Sequence, residues 1–176
     1  MTARLPFWFK QKPSNPEVMI PMERLLESLS LHTICESAHC PNVGDCFLRK
    51  TATFLILGDV CTRRCTFCAV KQGHPLPVDD EEPQHLREAA EKLNLSYLVI
   101  TAVTRDDLFD GGASQFVKVI NILHENRGGA MVEVLIPDFR GSAEALKAVV
   151  EARPEVVNHN VETVPRLYPK VRPGAD

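Results

Sequence analysis

The stretch "TATFLILGDVCTRRCTFC", Thr51 to Cys68, decides how the rest of the chain is read. Its first seven residues form a short apolar, β-rich run stopped by Gly58, the pattern of a strand feeding a loop. Three of the six cysteines sit on that loop, Cys61, Cys65 and Cys68, spaced C-x3-C-x2-C. The other three precede the strand in "CESAHCPNVGDC", as Cys35, Cys40 and Cys46, spaced C-x4-C-x5-C. A strand that ends in a residue-rich loop is the first unit of an α/β fold if helices and strands alternate after it.

They do. In "EEPQHLREAAEKLNL" residues Leu86, Ala89, Ala90 and Leu93 share one helical face behind Asp79 and Asp80 as candidate caps, and the strand "YLVITAV" follows. The next helix carries Phe116, Val119, Ile120 and Leu123 on one side, is stopped by Gly128 and Gly129, and leads into "MVEVLIP". Ser142 heads a third helix bearing Leu146, Val149 and Val150, and "EVVNHNVE" reads as a fourth strand. Strands apolar nearly throughout are buried on both faces, and helical crossovers imply a parallel sheet, doubly wound or barrel-like. Either way ligands gather at the carboxyl ends of strands, here the loops after Leu57, Val103, Ile136 and Val161.

Residues 1–50 have another texture, with four of the thirteen prolines before residue 22 and one helix near Met22 to Ser30, where Leu25, Leu26 and Leu29 repeat at helical spacing. The expected division is an N-terminal extension over 1–50 and an α/β domain over 51–176. Four strands are about half of an eight-stranded barrel, so the chain is expected to be a piece of a longer one, with Val156 to Val161 as an unpaired edge.

At 176 residues, 44% hydrophobic and 24% charged, the chain is long enough to fold around its own core. Its 23 acidic and 20 basic residues are mixed along the sequence and leave a net charge of −3, so no basic block recommends nucleic acid. The apolar run at the N-terminus is broken by Pro6 and too short for a signal peptide or a membrane span, which makes the cytoplasm the expected compartment. There, clustered cysteines are more often metal ligands or redox groups than disulfides.

A structural zinc site wants four closed ligands, whereas cubane clusters take one thiolate per iron. Three thiolates leave one iron open, and open coordination is what separates catalytic from structural metals. Between the cysteines, Thr62, Arg63, Arg64, Thr66 and Phe67 offer positive charge near an anionic cluster and a ring to shield it. Pro41, Asn42 and Gly44 fit a turn that brings Cys40 and Cys46 together. His39 reads as a neighbour of the site and not as a ligand.

With these residues in view, "CTRRCTFC" resembles the cluster motif of the radical S-adenosylmethionine enzymes. The double triplet together with "TAVTRDDLFDGGA", Thr101 to Ala113, resembles the lipoyl synthase family within that superfamily, from "FWFKQKP" to the last residue. The resemblance implies an α/β fold, a partial TIM-type (β/α) barrel of the radical SAM type with an irregular N-terminal cluster-binding extension. It implies two [4Fe-4S] clusters: one on Cys61, Cys65 and Cys68 that cleaves S-adenosyl-L-methionine, and an auxiliary one on Cys35, Cys40 and Cys46 that supplies sulfur. Gly111 and Gly112 fall in the family's cofactor loop, where glycine lets backbone approach a ligand. "NHNVETVPRLY", Asn158 to Tyr168, is similar to a stretch in biotin synthase whose amide and acid contact the cofactor's ribose. Asn160 and Glu162 match those positions, and alternation along a strand puts them on one face.

The activity so implied is radical insertion of two sulfur atoms at C6 and C8 of a protein-bound octanoyl group. The implied partners are an octanoylated lipoyl carrier protein, whether a lipoyl domain or a glycine-cleavage H protein, and flavodoxin or ferredoxin as electron donor. Nucleic acid and membrane are not expected. Arg105, Asp106 and Asp107 read as a capping and salt-bridge network, and Glu133 has only strand parity in its favour. Two alternatives stay open: another radical SAM sulfur-inserting enzyme such as a methylthiotransferase, and a zinc-binding interaction module with closed sites. The family chain continues past "RPGAD" to an R-S-S-Y-like motif whose serine ligates the auxiliary cluster. That serine is absent here, so a weakly held auxiliary cluster and poor turnover are expected.

Overall fold

The computed structural model describes residues 16–37, 40, 42–125 and 129–175; "FWFKQKP", His39, Pro41 and Gly128, which the sequence reading used, lie outside them. An N-terminal segment contains α1 (Pro16–Ser28), β1 (His32–Thr33), α2 (Ile34–Ser37) and α3 (Val43–Leu48). The alternating part follows as β2 (Thr51–Ile56), β3 (Val60–Cys61), β4 (Lys71–Gln72), α4 (Glu82–Lys92), β5 (Tyr97–Ala102), α5 (Ala113–His124), β6 (Met131–Leu135), α6 (Ala143–Glu151), β7 (Val156–Asn158) and α7 (Tyr168–Val171).

The main sheet has the order β1-β2-β5-β6-β7, with β1 antiparallel to β2 and every other pair parallel. Consecutive parallel strands are neighbours and the order never reverses. A doubly wound sheet reverses at a switch point where its ligand binds; an arc that keeps one direction is a segment of a (β/α) barrel. The arc is open among the described residues.

Strand parity sorts the residues into two faces. Phe54, Ile56, Leu98, Ile100, Val132 and Val134 are almost wholly inaccessible. They share the core with Leu86, Ala89 and Ala90 of α4, Phe116, Val119 and Ile120 of α5, and Val149 of α6. The alternate residues, among them Thr53, Leu55, Thr101, Val103 and Leu135, line a cavity on the opposite face. Polar side chains concentrate on that face: Tyr97 donates its hydroxyl to the Glu133 carboxylate, and Asn158 Nδ2 donates to Glu133 Oε1 at 2.5 Å.

The segment before β2 packs against this core through Met22, Leu26, Leu29, Leu31 and Phe47. α2 and α3 fall where the sequence predicts irregular chain, because four and six residues are too few for periodicity to show. Ser142 caps α6 by accepting from Ala145 N–H at 3.2 Å. At α4, Asp79 accepts from Glu81 N–H at 2.9 Å, one turn of chain before the helix proper. No helix among the described residues is long and apolar enough to cross a membrane.

One expectation fails in a way that matters for function. The fourth strand runs only Val156–Asn158, so Asn160 and Glu162 lie beyond its end and not on its face. Glu162 takes φ +58, a left-handed conformation that no strand continues through.

At the carboxyl end of β2, Leu57 takes φ +68 and Gly58 φ +88, which turns the chain sharply into the cysteine loop. A left-handed leucine costs about 1–2 kcal/mol and needs holding. Its N–H donates to both Glu82 carboxylate oxygens at 3.0 and 3.2 Å, and its carbonyl accepts from Arg105 Nη1 at 3.2 Å. Glu82 is itself steadied by Gln115 Nε2 at 2.9 Å. Burial pushes the Glu82 carboxyl above its ordinary pKa, while the hydrogen bonds from Gln115 and Leu57 oppose the rise.

Candidate functional site

The second cysteine triplet lies on a closed loop. β3 and β4 pair in parallel at its neck, joining Val60 to Lys71 and Cys61 to Gln72, and Gly73 N–H donates to Cys61 carbonyl oxygen at 3.0 Å. Above the neck, Thr62 N–H and Oγ1 both donate to the Thr104 carbonyl, at 3.0 and 2.9 Å. On the far side, Thr66 N–H donates to Val171 carbonyl oxygen at 2.9 Å. The loop is therefore stitched to the end of β5 and to α7.

Arg63 is 5% exposed. Its guanidinium donates to Asp106 from Nε (2.7 Å) and Nη2 (2.8 Å), and to Asp138 from Nη1 (2.5 Å) and Nη2 (2.8 Å). Burial opposes its charge, and the two carboxylates more than offset that, so the guanidinium stays firmly protonated. Arg63 is, as its place between the cysteines suggests, a cation acting on Cys65, although both edges of its fork are occupied by carboxylates. Arg64 is exposed. Arg105 pairs with Asp107 at 2.8 Å, whereas Asp106 pairs with Arg63, so the three residues are engaged in ion pairs as the sequence suggested but in two separate ones.

All six cysteines are free thiols. Cys61, Cys65 and Cys68 line a cavity of about 240 Å³ at the carboxyl ends of β2, β5 and β6, together with Asn160, Glu162 and Arg172. The rest of the wall is mainly apolar, including Ile34, Leu55, Val70 and Leu135. Phe67 belongs to the wall although it is 53% exposed. Burial pushes the Cys65 thiol above its ordinary pKa; Arg172 pulls it back, and the neighbouring Cys61 and Cys68 push it further up. The three thiols thus lie within electrostatic reach of one another.

The first triplet behaves alike. Cys35 on α2 is raised by burial, lowered by hydrogen bonding to Thr53, and raised again by Cys40 and Cys46. Cys40 N–H donates to Cys35 carbonyl oxygen at 2.8 Å, and Cys46 N–H to Asn42 at 3.1 Å, so two short helical turns gather these residues. Thr53, which meets Cys35, also lines the cavity that holds the second triplet. Cys35 of the first triplet is therefore tied to the same face of the sheet as the second triplet. Among the described residues no three His, Cys, Asp or Glu side chains converge on a single-ion site.

Gly111 and Gly112 lie elsewhere. Both are buried and outside the cavity wall, at φ +62 and +92. A Cβ on Gly111 would sit 3.2 Å from Phe139 Cδ1, and one on Gly112 would sit 2.3 Å from Leu57 Cδ1. Their lack of side chains is required by packing under the site. Asp110 secures the turn by accepting from Gly112 N–H at 2.9 Å and Ser114 N–H at 2.6 Å. Asn160 and Glu162 do reach the cavity, from the loop after β7. Sequence reasoning missed Arg172, which donates from Nη1 to the Asn160 carbonyl at 2.8 Å and is the cation that acts most on Cys65. No local signal marked it, because its place depends on the chain folding back after β7.

These features, a one-directional parallel arc with a cysteine triplet looped from its first full strand, define a class. The chain belongs to the radical SAM superfamily, whose family model matches residues 55–176. Membership implies S-adenosylmethionine and an iron–sulfur cluster at this site, and three free thiols bordering a largely apolar cavity at the strand ends fit that pair. Among curated proteins the chain is similar to lipoyl synthases. It is 56% identical over 176 residues to that of Caldanaerobacter subterraneus subsp. tengcongensis, covering all of this chain and 61% of the relative. It is 55% identical over 176 residues to that of Caldicellulosiruptor saccharolyticus, covering 62% of it, and 59% identical over 155 residues to that of Aquifex aeolicus, covering 88% of this chain and 56% of the relative. The chain spans about three fifths of the length of these relatives.

Proposed function

We propose that this chain carries the catalytic-cluster half of a lipoyl synthase, which inserts two sulfur atoms at C6 and C8 of a protein-bound octanoyl group. The observation that carries the proposal is the convergence of Cys61, Cys65, Cys68, Asn160 and Glu162 on one cavity whose remaining wall is mostly apolar. In this reading Cys61, Cys65 and Cys68 hold one [4Fe-4S] cluster, and Cys35, Cys40 and Cys46 hold a second. When bound, the first cluster and S-adenosylmethionine supply an adenosyl radical by reductive cleavage, and the second supplies sulfur.

The protein's own part is placement and isolation. Asn160 and Glu162 hold the ribose edge of the cofactor, while Gly111 and Gly112 act from beneath the site by admitting Phe139 and Leu57. Ile34, Leu55, Val70 and Leu135 exclude water and give an acyl chain apolar surface to lie on. Arg172 balances negative charge beside Cys65. The substrate is an octanoylated lipoyl carrier protein, a lipoyl domain or glycine-cleavage H protein, and the electron donor is flavodoxin or ferredoxin. The compartment that fits these partners is the cytoplasm.

The test is anaerobic reconstitution with iron and sulfide. Broad absorption near ~400 nm and about eight irons per chain are expected, falling to about four when either cysteine triplet is replaced by alanine. An octanoyl-lysine peptide supplied with S-adenosylmethionine and reductant should stimulate 5'-deoxyadenosine release and yield lipoyl product slowly, in keeping with a weakly held auxiliary cluster. Colourless protein with bound zinc refutes the cluster assignment, and 5'-deoxyadenosine release that the octanoyl peptide does not stimulate refutes the substrate.

A further inference from the structure

Arg63 is the one residue of the cysteine loop that touches a cysteine sulfur and two distant loops at once. Its main-chain N–H donates to Cys61 Sγ at 3.4 Å. Its side chain reaches Asp106, in the loop after β5, and Asp138, in the loop after β6. Asp138 in turn accepts from Arg140 N–H at 3.0 Å, inside a turn where Phe139 and Arg140 both take left-handed φ. Phe139 closes over Gly111 and meets the Phe116 ring edge-on at 6.1 Å. A guanidinium is a planar fork with five donors, so it can lock two carboxylates in fixed directions; an ammonium on a flexible stem cannot.

We propose that Arg63 is the positioning residue of the site, fixing the Cys61–Cys68 loop against the ends of β5 and β6 so that the three thiols keep one spacing. The proposal rests on the reading of those thiols as cluster ligands. As a source of charge at Cys65, Arg63 ranks behind Arg172, because its fork is shared by two carboxylates. Its main contribution is rigidity: the loop cannot shift without breaking charge-assisted bonds, those to Asp138 sheltered from water and those to Asp106 partly so. The Thr62 stitches to Thr104 and Asp106 depend on the same register.

The test uses Arg63→Lys, which keeps the charge and removes the fork. In the cluster-free chain, amide hydrogen exchange at Thr62 and Arg63 is expected to accelerate on the order of tenfold, while strand amides at Ile100 and Val134 stay at the parent rate. In the reconstituted chain, iron content is expected to hold. The reduced-cluster paramagnetic resonance signal is expected to broaden, and its change on adding S-adenosylmethionine to need about tenfold more cofactor. Lys118→Ala, which breaks only an exposed pair with Asp80, should match the parent in every measurement.

Parent-like exchange and a parent-like spectral response in Arg63→Lys overturn the proposal. Should that variant not fold, Asp138→Asn leaves the Asp106 half of the clamp in place and is expected to show the same local acceleration on a smaller scale; parent-like exchange there overturns it equally. A parent chain that takes up no iron would instead defeat the cluster assignment, and the exchange comparison would still decide whether the clamp holds the loop.

Discussion

Gly112→Ala is the substitution whose cost the structure specifies most directly. At φ +92 an alanine there bears left-handed strain of about 1–2 kcal/mol. Its Cβ would also lie 2.3 Å from Leu57 Cδ1, and Leu57 is 3% exposed with its backbone gripped on both sides, so the side chain has little room to yield. Overpacking of this kind costs about 1–3 kcal/mol, for a total of about 2–5 kcal/mol. Gly58→Ala is the matched control: φ is +88, yet nothing lies within 4 Å of the new Cβ. It carries the strain alone, about 1–2 kcal/mol. Urea and thermal unfolding followed by circular dichroism separate the two, with a fall in Tm of about 2–4 °C per kcal/mol for a chain of this size. Leu57→Ala added to Gly112→Ala should recover about 1 kcal/mol or more relative to additivity. Equal losses in the two glycine variants, or strict additivity with Leu57→Ala, would refute the claim that Gly112 is there to admit Leu57.

Glu82 gives a pH signature: its carboxyl is raised by burial, so the folded chain binds the proton more readily than the unfolded chain does. Its favourable effect is complete below the ordinary carboxylate range and is lost as pH rises through the raised folded value, so Glu82→Gln should flatten the fall in stability above pH 4.5. Ser142→Ala removes the α6 cap and should cost about 1 kcal/mol in urea unfolding, with the slope unchanged. Asn160→Ala and Glu162→Ala should each weaken S-adenosylmethionine binding to the reconstituted chain by about tenfold in calorimetry, without moving Tm, because both side chains are exposed at the cavity rim.

Much of the fold was written in local pattern. β2, β5 and β6 sit where the short apolar, β-rich runs put them, and the apolar faces of α4 and α5 point at the sheet; on α6 Val149 does so, while Leu146 and Val150, expected on the same face, are 44% and 50% exposed. The choice between doubly wound and barrel-like was not legible, because strand order is a property of long-range pairing. The cysteine triplets were visible from spacing alone. What held them was not: Arg63 finds its partners 43 and 75 residues away, and no window of sequence reports such a pair. Asn160 and Glu162 were placed on a strand by alternation, and the left-handed turn at Glu162 shows why that reasoning overran the strand's end. Gly111 and Gly112 announced an unusual backbone correctly, but glycine alone does not say whether ligand or leucine occupies the space it frees.

The reach of the Arg63 clamp also bears on the order in which the molecule can be made. During synthesis the loop leaves the ribosome first, Asp106 43 residues later and Asp138 75 residues after Arg63. Val171, which accepts from Thr66, comes 105 residues after that threonine. A nascent chain shorter than this has the ligands and lacks their frame, so iron delivered early would meet thiols at no fixed separation. The same holds for anyone who grafts "CTRRCTFC" onto another barrel: the motif travels as eight letters, but its geometry is lodged in two aspartates that the graft leaves behind.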